Sequence, residues 1–507
     1  MSTPAQQPPE PATGGRVMMI RLLRASSLYM LANVASRAVG FLAIPFYSRF
    51  LSPAEYGLIE LIELSTQLVA IAFGLQSIGP AMTRLFHDQG TLERQREVVS
   101  TGVVSSALLS ALIAAVAILL AAPLSQAVFR SAEHAPLLQA AFAAMFFANL
   151  VEVVLVHERI QERAGFFLAY SLATLFTTLG LNVLFIGFFG AGVWGFVFAK
   201  LLVASIGSVY LLWRLGREVG WRWRSGLLPG LARLAAPLTL SGLCYLIIHS
   251  SDRYFLASSV TLAEIGTYAL AYRFAFLIPS LVGEPFYKAW MATFYRYTAQ
   301  ADWRSQFSRV LGYLLLAEMT AAVALAVGGR ELLALMVPPS FYPPPLLLPM
   351  LVFAYVVRDV GDFYRSLLFI NKRMTRITQI AMSSAALNVV LNILLIPTYG
   401  VHGAALATLL TWIAYAAICC LAAWREHKVK LPIRPVLTIL AFASGVYGLS
   451  VVWRVPSYTL QVVLDIGWMA LFFGLCCLFY LSASDRAILR NEATALAKRL
   501  LAQFRPS

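Results

Sequence analysis

Charge is scarce in this chain: 12% of its 507 residues are Asp, Glu, Lys or Arg, and 60% are apolar. A soluble domain carries about twice that charge, so a soluble core is excluded. With a mean hydropathy of +0.75, the sequence reads as a polytopic membrane protein. Cysteine and histidine are also few, at 5 and 6 residues. Cys244, Cys419, Cys420, Cys476 and Cys477 all fall in apolar runs with no His or Cys at ligand spacing. That argues against a metal site and a disulfide framework, and no cofactor is expected. Strict polar–apolar alternation is missing, so the spans are helices and not barrel strands. The chain has no extramembrane stretch long enough for a catalytic domain, so it is not expected to be an enzyme. It also lacks a basic n-region followed by a cleavage pattern, leaving the first span as the insertion signal. Acids are the scarcer charge, giving a net +15. Nucleic acid is not the expected partner, because membrane topology accounts for the excess.

What is present is repetition. Leu51-Ser-Pro-Ala-Glu-Tyr-Gly57 is echoed 209 positions later by Val260-Thr-Leu-Ala-Glu-Ile-Gly266, and the same shift carries Arg24 onto Arg233. Leu181-Asn-Val-Leu-Phe-Ile186 returns as Leu391-Asn-Ile-Leu-Leu-Ile396, and Gly192-Val-Trp-Gly195 as Gly400-Val-His-Gly403. Echoes in register at nearly one offset mark a duplicated unit of about two hundred residues.

The expected fold is all-α, with about fourteen transmembrane helices of roughly 20 residues each. A Pro-rich tail, expected to be disordered, covers residues 1–15. Two pseudo-twofold-related six-helix lobes follow at 16–213 and 231–424, joined by a basic linker at 214–230. An additional helix pair at 425–483 and an amphipathic tail at 484–507 complete the chain. Six spans per repeat give both copies one orientation, so the pseudo-twofold axis is expected along the membrane normal. With both termini cytoplasmic, only Arg49, Arg130, Arg253, Arg330 and Arg454 fall at the outer face. The positive-inside rule favours that orientation.

The chain resembles the polysaccharide-export flippases of the multidrug/oligosaccharidyl-lipid/polysaccharide superfamily. The residues that carry the resemblance are Pro45 with Arg49-Phe-Leu-Ser-Pro-Ala-Glu-Tyr-Gly57, Asp252-Arg253 with Glu264-Ile-Gly-Thr-Tyr268, and Leu391-Asn with Pro397-Thr-Tyr-Gly400-Val-His-Gly403. Each motif is degenerate, but their order and spacing extend over nearly the whole chain apart from its tails. The resemblance implies alternating access and a polyprenyl-diphosphate oligosaccharide as substrate. It also implies an inner (plasma) membrane location, membrane lipid as a partner, and a glycan polymerase with chain-length machinery nearby. The fourteen spans are similar in number to those of lipid II flippases, whose extra pair helps form a groove for a lipid tail.

Moving a diphosphate through hydrocarbon requires a wet cleft with fixed cations, and arginine's fork suits phosphate oxygens. Intramembrane charges are therefore the site candidates. Arg37 lies one turn beyond Asn33 in the first span, and Arg273 stands beside Tyr272 in the eighth. The superfamily's cleft-lining spans make these two arginines the expected diphosphate contacts, with Asn33, Tyr272 and Arg253 as further substrate-binding candidates; for Asp252-Arg253, near the outer end of the seventh span, a role in fixing the hairpin is the alternative. The alternative for Arg37 and for Arg273 is a structural ion pair with Glu60 or Glu63. Glu60, Glu63 and Gln67 share one face of the second span. With Asp252, the two glutamates are the expected coupling groups for a proton or sodium; the alternative is that Glu60 and Glu63 sit near the outer mouth, hydrated or paired with Arg49. Glu152 and Glu318 are the acids available to balance Lys200 or Arg37. Arg358, Asp362 and Arg365, at i, i+4, i+7, read as a self-neutralising ladder. Pro45, Gly79-Pro80, Pro237 and Pro279 are the expected kinks. A cation or drug antiporter of the same superfamily is the main rival, weakened because the first span offers Asn33 and Arg37 and no acid. A membrane glycan polymerase would need a larger outer loop.

Overall fold

The computed structural model describes residues 40–298, 300, 302–371, 374–480 and 486. Asn33, Arg37 and the expected tail helix at 484–507 therefore lie outside the described residues, apart from residue 486. Among the described residues the chain is helical throughout. It divides into two compact units. The first runs up to Leu246 and takes in Thr261–Gly266; the second comprises Ile247–Val260 and the chain from Thr267 onward.

The first unit holds α1 (Ile44–Phe50), α2 (Pro53–Ala72), α3 (Ile78–His87), α4 (Leu92–Leu119) and α5 (Ala121–Phe129). It continues with α6 (Ala135–Ile160), α7 (Ala164–Asn182), α8 (Gly192–Val219) and the first part of α9 (Leu228–Ala257). Its apolar core joins Leu58, Ile59 and Ile62 of α2 to Leu138, Phe142 and Met145 of α6 and to Val193 and Val197 of α8. The second unit continues through α10 (Leu262–Ala275), α11 (Glu284–Thr298), α12 (Trp303–Met336), α13 (Leu347–Arg365) and α14 (Met374–His427). It ends with α15 (Ile433–Val452) and α16 (Tyr458–Phe479), which pack on α12 and on each other.

Among the described residues, ten helices are long and apolar enough to cross a membrane, or eleven if the bent pair Pro53–Ala72 and Leu75–His87 forms one span. The chain is thus a multi-pass helical membrane protein. Fourteen spans are compatible with this. α14 contains both Met374–Pro397 and Gly400–Trp424, α13 lies outside the ten, and the first expected span begins before residue 40.

The sequence echoes correspond to repeated local structures. Ser52 and Glu55 form a capping box at the start of α2, with Glu55 Oε2 accepting from the Ser52 N–H at 2.8 Å. Thr261 and Glu264 build the same box at the start of α10, where Glu264 Oε2 accepts from the Thr261 N–H at 2.9 Å. Within the first unit these two helix starts cross at glycine. A Cβ on Gly57 would lie 2.1 Å from the Leu262 carbonyl oxygen, and one on Gly266 would lie 2.0 Å from that of Pro53. The contact is reciprocal, because Pro53 and Leu262 occupy matching places in the two echoes, as do Gly57 and Gly266.

The second pair of echoes also has matching structures. Gly192 and Gly400 both have a positive φ, 53 and 55, a backbone conformation that favours glycine, at breaks between helices. Three residues on, Gly195 packs against Phe185 and Ile186, and Gly403 against Leu395 and Ile396. The buried asparagines just before these turns serve parallel purposes within their own units. Asn182 donates to the Tyr47 hydroxyl at 2.8 Å, and Asn392 donates to Asn388 Oδ1 at 3.0 Å and Ser251 Oγ at 3.4 Å.

Two details differ from expectation. The second span bends by 62° at Phe73-Gly74 and not at Gly79-Pro80. Gly74 is left-handed, with φ 74, and ends the helical ladder there. Pro80 falls in the first turn of α3, where its missing N–H would have had no intrahelical acceptor. The linker at 214–230 is also docked and not simply solvated. Its Arg222 and Arg224 bond to Glu93 and Glu97 of α4 at 2.6 and 2.8 Å. Their backbone N–H groups donate to Ser100 and Thr101 at 2.7 and 3.1 Å.

Because any side chain at the α2–α10 crossing meets backbone, substitution there should be poorly tolerated. Gly57→Val or Gly266→Val should destabilise the detergent-solubilised protein by about 1–3 kcal/mol or more, the cost of overpacking. Gly165→Ala and Gly448→Ala, with nothing within 4 Å of the added carbon, should have little effect. Thermal unfolding followed by size-exclusion chromatography checks the difference.

Candidate functional site

The bend in the second span helps to shape a cavity of about 600 Å³ inside the first unit. Past the bend, Leu75, Gln76, Gly79 and Pro80 join the lining, opposite Asn149, Glu152 and Arg159 of α6. Glu63, Thr66 and Gln67 line it from α2, and Lys200 from α8. Lys200 Nζ donates to both carboxylate oxygens of Glu63 at 2.7 Å. Each partner is about one-third exposed, 36% and 35%, so the pair is wet and its strength moderate despite the short distances. Asn149 is buried and donates to Ser106 at 3.0 Å. The cavity thus offers amides, a hydroxyl and charges of both signs within an apolar bundle, the mixture that a polar ligand needs to cross hydrocarbon.

This arrangement revises the charge pairing expected from sequence. Lys200 bonds to Glu63, which is closer to it than Glu152 although both acids line the cavity. Glu63 is consequently engaged by α8 and not by Arg49. Glu60 is half-buried and lies outside the lining, one turn nearer the start of α2. Glu318 belongs to the second unit and faces neither Lys200 nor the cavity.

The other candidates gather in the second unit around Asp252, of which only 1% is exposed. Its Oδ1 accepts from the Arg253 backbone at 2.9 Å and from Arg253 Nη1 at 3.1 Å, and its Oδ2 from the Tyr268 hydroxyl. Arg253 Nη1 also donates to the His249 carbonyl at 2.5 Å. The Arg253 guanidinium lies 4.0 Å from the Tyr272 ring centre, and His249 is enclosed by Tyr355 and Trp412. Asp252, Arg253 and Tyr272 therefore form one buried network in which the arginine's charge is already compensated. Arg273, the next residue along α10, is exposed. The 358–365 ladder is present: Asp362 lies 3.7 Å from Arg358 and 3.1 Å from Arg365, with Asp359 joining Arg358 at 2.7 Å.

A family profile described as "Polysaccharide biosynthesis protein" matches residues 46–341. The chain belongs to this polysaccharide biosynthesis protein family. Among solved structures, the fold is similar to "Lipid II flippase MurJ, inward closed conformation", with a TM-score of 0.70 and 14% identity over 89% of this chain and 98% of that one. It is also similar to an inward-facing multidrug resistance MATE family transporter of the MOP superfamily, with a TM-score of 0.62 and 15% identity over 77% of this chain and 94% of that one. A mutant of the Vibrio cholerae MATE transporter VcmN follows, with a TM-score of 0.55 and 16% identity over 82% and 98% of the two chains. No curated protein sequence gives a significant match. At these identities the structures establish a shared fold, one used by flippases and multidrug transporters.

Two experiments test the electrostatics of these sites. Asp252→Asn leaves Arg253 buried without its counter-ion and should destabilise the protein by about 3–5 kcal/mol. A double-mutant cycle on Lys200→Met and Glu63→Gln should give a coupling of only about 0.2–1 kcal/mol, since that pair is solvated. Thermal unfolding in detergent at one pH reads both.

Proposed function

We propose that this protein is a flippase that carries polyprenyl-diphosphate-linked oligosaccharide across the inner (plasma) membrane for cell-surface polysaccharide synthesis. The observation that carries this reading is the polar 600 Å³ cavity within a member of the polysaccharide biosynthesis protein family. Gln67, Gln76, Asn149 and Thr66 supply donors and acceptors suited to sugar hydroxyls, and Lys200 and Arg159 supply positive charge. Arg37 and Arg273 are the proposed diphosphate contacts. Asn33 stands one turn from Arg37, while Tyr272 and Arg253 act as the buried support beside Arg273. Glu60, Glu63 and Asp252 remain proposed coupling groups for a proton or sodium. Both termini are placed in the cytoplasm, the protein works by alternating access, and it catalyses no reaction.

The additional pair α15 and α16 exposes Leu437, Leu460, Val463 and Ile466, a surface suited to membrane lipid and to the polyprenyl tail. Their contact with α12 is anchored at one end, where Arg454, between the two helices, lies 3.8 Å from Glu331. A second reading, export of cationic drugs, draws support from the acids Glu63 and Glu152 in the cavity.

Sidedness of a labelled polyprenyl-diphosphate oligosaccharide in proteoliposomes tests the proposal, with and without an imposed proton or sodium gradient. The labelled glycan should cross only when the protein is present. A hydrogen bond to a charged group contributes about 1.5–3 kcal/mol. Arg37→Ala or Arg273→Ala should therefore weaken binding roughly tenfold to a hundredfold and reduce flipping accordingly. Lysine at either position should restore it partly, since it keeps the charge without the bidentate fork. Efflux of a cationic dye without glycan movement would favour the second reading.

A further inference from the structure

Deep in the second unit lies a carboxyl pair that none of the site residues above includes. Glu318, in the middle of α12, is 0% exposed, and neither of its carboxyl oxygens has a hydrogen-bond donor. It faces Asp359 of α13, 6% exposed, whose Oδ2 likewise has no donor. The two carboxyls approach one another at the same glycine. They converge above the backbone of Gly283, where a Cβ would lie 2.0 Å from Asp359 Oδ2 and 3.2 Å from Glu318 Oε1. Two carboxylates in such contact form no hydrogen bond unless one of them carries a proton.

The surrounding charge has room for one proton. Arg358 donates to Asp359 Oδ1, with Nη2 at 2.7 Å and Nε at 2.8 Å, leaving Oδ2 turned toward Glu318. With one shared proton, Arg358, Asp359 and Glu318 are neutral as a group. Without it they carry a net negative charge in a low-dielectric interior, a costly state. Asp362 and Arg365, farther along α13, pair with each other at 3.1 Å. From α11, Glu284 and Lys288 line the adjacent cavity of about 190 Å³, as do Asp359 and Leu314, one turn before Glu318. The remaining acid of α12, Glu331, lies more than three turns away beside Arg454, and Asp465 of α16 bonds to Gln461. Among the described residues no group of three or more His, Cys, Asp or Glu could hold a metal ion, which favours a proton over a metal cation here.

We propose that Glu318 and Asp359 are a proton-binding carboxyl pair that loads and empties through the cavity beside α11 and couples the second unit to the proton gradient. A proton taken from water in that cavity forms an O–H bond on Glu318, donates to Asp359 Oδ2, and returns to water when the pair is exposed. The coupling role rests on the flippase reading; proton binding itself does not.

The test is infrared difference spectroscopy of the full chain in lipid nanodiscs during a pH titration. The expected result is a protonated-carboxyl band that disappears as pH rises, is lost in Glu318→Gln, is shifted in Asp359→Asn, and is unchanged when sodium replaces potassium. Gly283→Ala, which presses a methyl group against both carboxyls, should shift the same band and keeps the test open if Glu318→Gln does not fold. The proposal is overturned if the wild-type protein shows no titrating band, if Glu318→Gln keeps it at full intensity, if Gly283→Ala leaves it unmoved, or if sodium abolishes it at constant pH. A protein that titrates as expected but moves no lipid-linked glycan upholds the proton site and contradicts the flippase reading.

Discussion

Within the first unit, the crossing of Gly57 with Gly266 is a contact that only residues without a side chain allow. It brings α2 and the first turns of α10 into backbone contact, with each glycine lying against a carbonyl oxygen of the opposite echo. Small residues let helix backbones approach closely in a membrane, where lipid tails offer no hydrophobic drive to association. The two capping boxes fix where the helices begin, one turn before the glycines, and so set the height of the crossing. A duplicated sequence has thus kept, in both copies, the cap that starts the helix and the glycine that permits the contact.

Around that crossing, polar groups in the apolar bundle are handled in two ways. Some are closed on one another: Asp252 takes bonds from Arg253 and Tyr268, and Asn182 reaches Tyr47. Such networks fix helix positions, because leaving one partner unsatisfied in the interior is costly. Others border space. Lys200 and Glu63 are short-bonded yet one-third exposed to a cavity, and Asp359 borders a smaller one. A transporter needs both kinds, rigid joints within its units and hydrated charges where a polar ligand or a proton can enter. Arg253 and Arg273 differ in burial: the first lies in the core beside Asp252, while the second is exposed on α10.

Much of this was legible in the sequence, because the signals were local or periodic. Composition and run length gave the helical membrane fold, and the echoes marked segments that the structure shows to share capping boxes and positive-φ glycines. The i, i+4, i+7 spacing foretold the Arg358–Asp362–Arg365 ladder, since residues at that spacing share a helix face. Pairings between distant segments were not legible. Lys200 and Glu63 are 137 positions apart, and the choice between Glu63 and Glu152 is made by how α8 packs beside α2 and α6. Glu318 and Asp359 were hidden for the same reason, and only their common approach to Gly283 reveals the pair. The bend at Gly74 was missed because proline is the more conspicuous helix breaker. A glycine with positive φ ends the ladder there, and Pro80 sits harmlessly in the next first turn.

The central claim is recognition of an anionic, sugar-bearing lipid by a cavity of mixed polarity in a member of the polysaccharide biosynthesis family. Native mass spectrometry of the purified chain tests it most directly, with a polyprenyl-diphosphate oligosaccharide, the same lipid lacking its sugars, the same lipid lacking its diphosphate, and a cationic dye offered in competition. The account predicts that the complete lipid is retained best, that losing either the sugars or the diphosphate weakens retention at least tenfold, and that the dye does not displace it. Retention of the dye in preference to the complete lipid, or equal retention of all three lipids, would contradict it.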